Sequence, residues 1–257
     1  MPHHLQKVAH RGGSALAPQN TLAAFRNAIM LPIDAIELDV QMTRDGHVVV
    51  FHDNSVEKLT DGFGNMLDLD FAYLRGLNAA AHFPGGWPEP QQIPTLREVL
   101  NLAKNRVQVY IEIKFSARDG VYGRYPGIAE AVVEEVRSAG MVDQALIISY
   151  DWAILPIVKA LAPALQTGAI VSDEVWNPRA EHALQTLVEH ISSLGCRWIN
   201  IDCDLFTPDM PRIAHEHGLE IGLWTVNSSA EMRRFVAAGV DSITSDHPDL
   251  FTQLPIL

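Results

Sequence analysis

Three acidic residues and two histidines carry most of the chemistry this chain could perform. Glu37 and Asp39 lie in the run Ile36-Glu37-Leu38-Asp39-Val40, where aliphatic and acidic residues alternate. In a β-strand that alternation puts both carboxylates on one face and the aliphatic side chains on the other. Ile111-Glu112-Ile113-Lys114 repeats the pattern, so Glu112 and Lys114 share a face. Buried carboxylates are costly unless a proton, a basic side chain or a divalent cation offsets their charge. Lys114 could neutralise Glu112 by itself, but three acids against one lysine leave an excess of negative charge, and a cation is the better remedy. Oxygen-only ligation suits a hard ion, Mg²⁺ or Ca²⁺, with water or substrate completing the shell.

His10 ends a short strand-like run, Lys7-Val8-Ala9-His10, and His52 ends another, His47 to His52. Two imidazoles flanking a metal-bound phosphate could act as general base and general acid. Arg11 and Lys114 could neutralise phosphate oxygens, Arg11 in bidentate fashion. The chemistry these residue types suggest is metal-assisted phosphoryl transfer.

The surrounding pattern indicates what must position them. Fewer than ten residues separate the strands carrying Asp39 and His52, too few for a parallel crossover, so a hairpin is expected. A reversal centred on Asp45-Gly46 sets position 43 opposite 48, 41 opposite 50, and 39 opposite 52, bringing His52 beside Asp39. Arg11-Gly12-Gly13 forms a turn, and Asn20-Thr21 opens a helix with Leu22, Phe25, Ala28 and Ile29 on its apolar stripe. Residues 54–93, rich in glycine, proline and scattered aromatics, read as a mostly irregular insertion with at most a short helix near 71–75, expected to cover substrate. A helix capped by Thr95 follows.

Further strands are expected at 107–114, 145–150, 167–171, 197–202, 220–226 and 241–244. Helical patterns fill 126–139, 151–161, 179–194, 208–217 and 229–238. Leaving aside the extra strand at 47–52, eight strands alternate with helices. That order, in a chain of 257 residues, predicts a single-domain (β/α)8 TIM barrel. Active sites of such barrels form at the carboxyl ends of the strands. Those ends carry His10, Arg11, Glu37, Asp39, Glu112, Lys114, Ser149, Asn200, Asp202, Trp224, Ser245 and Asp246.

Composition narrows the partners. Nineteen basic against 31 acidic residues give a net charge of −12, which argues against nucleic acid or an anionic membrane. A small anionic substrate remains compatible with a few focused basic residues. Cys196 and Cys203 are too few for a disulfide framework and read as small core residues in a reducing compartment. With no apolar leader segment and no apolar run long enough to span a membrane, a cytoplasmic location is expected. The helical faces are too generic to specify an oligomer.

His10-Arg11-Gly12, Pro18-Gln19-Asn20-Thr21, Glu37-Leu38-Asp39-Val40, Gln41 with Thr43, Asp45-Gly46, Val49 to Asp53, Glu112-Ile113-Lys114, Trp224-Thr225-Val226-Asn227 and the closing run Gly239 to Pro248 together form an ordered series. From about residue 7 to 250 it resembles the glycerophosphodiester phosphodiesterase family, barrels similar to the phosphatidylinositol-specific phospholipases C. The resemblance implies a divalent cation on Glu37, Asp39 and Glu112, catalytic histidines at 10 and 52, and phosphate contacts from Arg11 and Lys114. It also implies hydrolysis of glycerophosphodiesters, such as glycerophosphocholine or glycerophosphoethanolamine, to glycerol 3-phosphate and an alcohol. The related phospholipases suggest a cyclic phosphate intermediate, with direct attack by water as the alternative. Where the family usually has Glu, this chain has Gln19; the position is not an implied ligand, so tuning rather than loss of activity is expected.

Other readings compete at single positions. Trp224 shares its strand face with Gly222 and Val226, which suits core packing, while the Trp-Thr-Val-Asn match implies a place in the substrate pocket. Asn200 and Asp202 suit either a pocket or buried hydrogen bonds. A lysophospholipase D would need an apolar channel, which Phe63, Phe71, Phe83 and Trp87 could line. A non-catalytic metabolite-binding barrel would keep the fold without the turnover.

Overall fold

The computed structural model describes residues 4–118 and 121–254. Its strands are β1 (Gln6–Ala9), β2 (Ala35–Met42), β3 (Val48–Val50), β4 (Gln108–Ile113), β5 (Ser116–Arg118) and β6 (Val121–Gly123), followed by β7 (Ala145–Ser149), β8 (Gln166–Val171), β9 (Trp198–Asp202), β10 (Glu220–Trp224) and β11 (Ser242–Ser245). Eight of them, all but β3, β5 and β6, run parallel in the order β1-β11-β10-β9-β8-β7-β4-β2. β1 pairs with both β11 and β2, which closes the ring. The expected TIM barrel is the observed one.

The helices are α1 (Leu22–Ile29), α2 (Phe71–Leu74), α3 (Leu96–Ala103), α4 (Ile128–Ala139), α5 (Leu155–Leu161), α6 (Ala183–Ser193), α7 (Met210–Glu216) and α8 (Ser229–Ala238). Local sequence fixes their starts. Thr21 accepts the Ala24 amide ahead of α1, and Thr95 with Glu98 forms a reciprocal capping box on α3. Each cap satisfies a first-turn amide that has no partner within its helix.

Alternation along β2 divides the molecule. Ile36, Leu38 and Val40 join Phe25, Val99, Val109 and Ile111 in the apolar layer between barrel and helices. Each large side chain buried in that layer contributes about 1.5–3 kcal/mol. Glu37, Asp39 and Gln41 alternate with them and are also buried. A smaller cluster of Val8, Ala35, Tyr110, Leu146, Ile148, Ile170 and Trp198 forms separately from that layer.

One local expectation needs correction. β3 pairs antiparallel with β2, but as Val40↔Val50, Gln41↔Val49 and Met42↔Val48, one residue away from the predicted register. The chain turns through a three-residue loop in which Gly46 takes φ +86°, while Thr43 receives a backbone bond through its carbonyl from Gly46 and donates to His47. Asp39 is therefore not opposite His52; its carbonyl accepts the Phe51 amide at 2.9 Å. An antiparallel hairpin, β5–β6, also stands immediately beyond β4, in a stretch to which the sequence assigned no element.

Residues 54–93 are mostly irregular, with one 3-10 turn at Met66–Asp68 and the short α2. The segment has its own apolar cluster, in which Val56, Met66, Leu74 and Ile93 pack on Val49 and Phe51. Asn65 Nδ2 donates to the Ala117 carbonyl at 2.6 Å, tying the segment to the hairpin beside the mouth of the barrel.

Candidate active site

Asp39 and Glu112 are register partners on adjacent parallel strands, and Glu37 stands one inward position below Asp39. Oxygens of Glu37, Asp39 and Glu112 all lie within 4.8 Å of one another. All three are buried: 3 %, 0 % and 8 % exposed. The turn after β1 supplies the counterweight. Arg11, with φ 50°, sends its amide to Glu37 Oε2 at 2.9 Å and its Nε to within 3.3 Å of Asp39 Oδ2. Gly12 makes that turn possible: at φ +80° a Cβ would sit 2.8 Å from Ala24 Cβ. Asn20 Nδ2 donates to Asp39 Oδ2 at 2.8 Å, and Gln19 Oε1 accepts from Arg11 Nη1 at 2.7 Å. Gln19 thus holds the guanidinium without adding a charge of its own.

Lys114 sits 2.8 Å from Glu112 Oε1 and 3.5 Å from Asp39 Oδ1. Sequence reasoning counted this lysine alone against the acids, whereas the structure brings Arg11 to them as well. With all three acids ionised, one negative charge would remain uncompensated in the cluster. Burial, together with the neighbouring Asp39 and Glu112, pushes the Glu37 carboxyl well above its ordinary range. Burial also raises Glu112, with Lys114 opposing. Burial opposes ionisation of Asp39 too, but Arg11 and Lys114 outweigh it and hold that carboxyl below its ordinary range. Lys114 is held in its charged form by Glu112 and Asp39 against the effect of burial.

Asp39 Oδ1 is buried and has no hydrogen-bond partner among the described residues. An acceptor-only oxygen left open, next to two further carboxylates, is the donor set a hard divalent cation takes. The residues present fit such an ion.

The two histidines are built alike. His10 Nδ1 lies 2.6 Å from Asp246 Oδ1, and His52 Nδ1 lies 2.5 Å from Asp53 Oδ1. An ionised carboxylate only accepts, so in each pair Nδ1 donates and Nε2 is the nitrogen left for other work. His10 Nε2 is 3.9 Å from Glu37 Oε2. Asp246 also accepts from Ser14 Oγ and Asn227 Nδ2. Burial raises the Asp246 carboxyl, but His10 and these donors hold it below the usual range. His52 reaches the site despite the shifted register because β3 ends at Val50, and Gln41 Nε2 takes the carbonyls of Phe51 and Asp53 at 2.8 and 2.9 Å. The Tyr125 hydroxyl in turn donates to Gln41 Oε1 at 2.7 Å.

A cavity of about 200 Å³ joins these groups: His10, Arg11, Glu37, His52, Glu112 and Lys114 line one side, with Tyr150, Asn200 and Trp224 among the residues of the other. Trp224 donates its indole N–H to the Asn200 carbonyl at 3.1 Å and meets Tyr150 edge-on at 5.9 Å. Every residue singled out from sequence for metal, histidine or phosphate roles therefore lies at one cavity or, for Asp39, directly behind it. Phe63, Phe71, Phe83 and Trp87 are not among its lining residues. Phe71 stacks on His47 and Phe83 packs edge-on against Trp87.

A model of the Glycerophosphoryl diester phosphodiesterase family matches residues 10–250. The chain belongs to that family. It is 34 % identical over 248 residues to a glycerophosphodiester phosphodiesterase of Caldanaerobacter subterraneus subsp. tengcongensis, covering 96 % of each chain. It is 30 % identical to another from Bacillus subtilis, over 97 % of this chain and 86 % of that one. Among solved structures, an Oleispira antarctica phosphodiesterase in complex with the product sn-glycerol-3-phosphate superposes with TM-score 0.82 at 28 % identity, over 96 % of this chain and 95 % of that one.

Within this family member, Asp53, Asp246 and Gln41 were quoted in sequence motifs or strand ends but given no role. Their importance lies in what they hold. Tyr110 and Tyr150, which also line the cavity, went unnoticed because an aromatic in an apolar strand carries no sign of which face it takes.

Proposed function

We propose that this protein hydrolyses glycerophosphodiesters to glycerol 3-phosphate and an alcohol, using a divalent cation and two histidines. The observation that carries the reading is the meeting of a cluster of three buried carboxylates, two of them lining the cavity, with two cavity histidines whose Nδ1 atoms are each tied to an aspartate. Glu37, Asp39 and Glu112 would hold the Mg²⁺ or Ca²⁺, which supplies Lewis acidity toward the phosphate and the adjacent glycerol hydroxyl. Arg11 and Lys114 carry positive charge to the same mouth and neutralise phosphate oxygens.

One histidine Nε2 removes the proton of the glycerol 2-hydroxyl, and that oxygen attacks phosphorus. The other Nε2 protonates the departing alcohol oxygen as the P–O bond breaks. The cyclic phosphate is then opened by water with the two histidine roles exchanged. Trapping or isotope exchange with slow substrates tests this route; absence of any cyclic product points to direct attack by water instead.

The chain functions as one catalytic domain, with residues 54–93 covering the carboxyl-end face of the barrel. Its substrate is a small molecule. Phe71 packs on His47 and Phe83 on Trp87, Phe63 is exposed, and none of the four lines the cavity, which favours a soluble diester over a lysophospholipid. Among the described residues no helix is long and apolar enough to cross a membrane; the reading places the enzyme in the cytoplasm.

The test is an assay on glycerophosphocholine with added Mg²⁺ or Ca²⁺, with and without chelator. Choline release that depends on the metal is expected. Metal-independent turnover, or none on any glycerophosphodiester, overturns the proposal.

A further inference from the structure

We propose that Asn200 is a specificity-determining residue whose side-chain amide holds the terminal hydroxyl of the substrate's glycerol, an inference that rests on the function proposed above. Around the ring, β9 is reached from β2 through β4, β7 and β8 one way and through β1, β11 and β10 the other. Asn200 therefore stands diametrically across the barrel from the strand that carries Glu37 and Asp39. It is 5 % exposed and lines the same cavity.

Its neighbours have been cleared to make room. Gly222 is the ladder partner of Asn200 on β10, and Gly168 is the partner of Trp198 on β8. A Cβ on Gly222 would fall 2.3 Å from Ser242 Oγ and 2.7 Å from Asn200 Oδ1, and one on Gly168 would fall 2.7 Å from Trp198 Cβ and 2.9 Å from Asn200 Nδ2. Side chains at either position would occupy the volume the amide now fills. Neither glycine has a positive φ that would require glycine for backbone reasons, so the space itself explains them. Above the amide, the Trp224 indole is anchored to the Asn200 carbonyl.

Despite this packing, Asn200 Nδ2 is buried without a hydrogen-bond partner among the described residues. Such a donor is costly to leave unsatisfied, Ile170, the partner of Asn200 on β8, offers no acceptor side chain, and the hydroxyls of Tyr110, Tyr150, Thr225 and Thr244 elsewhere on the wall do not reach it. The donor needs an oxygen brought by whatever enters the cavity. Arg11, Lys114 and the three carboxylates already provide for the phosphate and the hydroxyl beside it. The acceptor of a glycerophosphodiester left over for the opposite wall is the terminal glycerol hydroxyl. A neutral amide suits it, since a hydroxyl can accept from Nδ2 and carries no charge to neutralise.

The test compares glycerophosphocholine with its deoxy analogue, the phosphocholine diester of propane-1,2-diol, which keeps the hydroxyl next to the phosphate and lacks the terminal one. Wild-type protein is expected to favour the glycerol compound about tenfold in kcat/KM, the size of one hydrogen bond to a buried donor. In Asn200→Leu, close in size and without the donor, the ratio is expected to fall toward unity. Wild-type protein that turns over both substrates with equal kcat/KM overturns this inference alone. So does a folded variant that keeps the full preference, or one that loses activity on both substrates in equal proportion, which marks a structural role. Wild-type protein inactive on both compounds overturns the proposed function and this inference together. The wild-type comparison needs no variant to fold.

Discussion

Asp39 and Glu112 face each other at the same height on adjacent parallel strands, β2 and β4. Neighbouring strands lie about 4.8 Å apart, so two ionised carboxylates there repel unless a positive charge sits between them. Lys114 and Arg11 do part of that work, and the divalent ion proposed above would complete it. Removing the ion should then cost stability. Chelator is expected to lower Tm, and Mg²⁺ or Ca²⁺ at a hundredfold excess over Kd should restore about 2.7 kcal/mol. Glu112→Gln should abolish the metal-dependent shift while leaving a folded barrel, as read by thermal denaturation with and without metal.

Glu37 makes metal binding and stability depend on pH in a defined direction. Its folded-state carboxyl lies well above the ordinary value of 4.5. A group raised on folding stabilises the folded state while protonated, and that stability is lost as pH rises from the ordinary value through the raised one. The metal-free protein should therefore lose stability as pH climbs out of the acid range. Metal affinity should move oppositely, weakening as pH falls, because protons compete for Glu37. Calorimetric titration at two or three pH values checks the second trend. Glu37→Gln should flatten the first.

The bond between His10 and Asp246 fixes which imidazole nitrogen faces the cavity. Asp246→Asn removes the charge and allows the opposite tautomer. A fall in kcat of about 100-fold is expected, with KM little changed, since general acid–base catalysis is typically worth about 10²–10⁴. Steady-state kinetics on glycerophosphocholine separates the two. The depressed Asp246 carboxyl also carries stability that is present above its ordinary value of 3.8 and lost as pH falls through its folded value. Acid unfolding of Asp246→Asn should be less steep than that of the wild type.

Gln41 places His52 by holding two carbonyls at once. Gln41→Leu leaves those carbonyls and the Tyr125 hydroxyl without their buried partner, a loss of about 1–3 kcal/mol per group. Both Tm and kcat should fall, while metal affinity stays near that of the wild type. A variant with reduced Tm and unchanged kcat would show that His52 does not depend on this anchor.

The barrel and its acids were legible because each strand and helix advertises its own period, and alternation alone assigns Glu37, Asp39 and Glu112 to the inward face. The β3 register was harder. A three-residue loop closing on Gly46 shifts the pairing by one position, and loop length is not visible where Thr43, Asp45 and Gly46 all favour turns. The β5–β6 hairpin has a local signal, the alternation Phe115 to Arg118 followed by Asp119-Gly120, but strands of three residues are too short to stand out beside β4; Phe115, just ahead of β5, meets Tyr122 edge-on. The contact of His10 with Asp246 spans 236 positions. No local pattern encodes such a pairing; it follows from ring closure.

That closure also sets when the protein can become active. The ring is sealed between the first strand and the last, and Asp246 lies just past the last. During synthesis the three acids and both histidines leave the ribosome before the partner that orients His10 and the strand beside it, which follow every other strand of the ring. A nascent chain halted at Ala238 would carry every candidate ligand and both imidazoles, yet lack β11 and Asp246. Competence is thus withheld until β11 and Asp246 have been made, and a single cut within that strand would undo it.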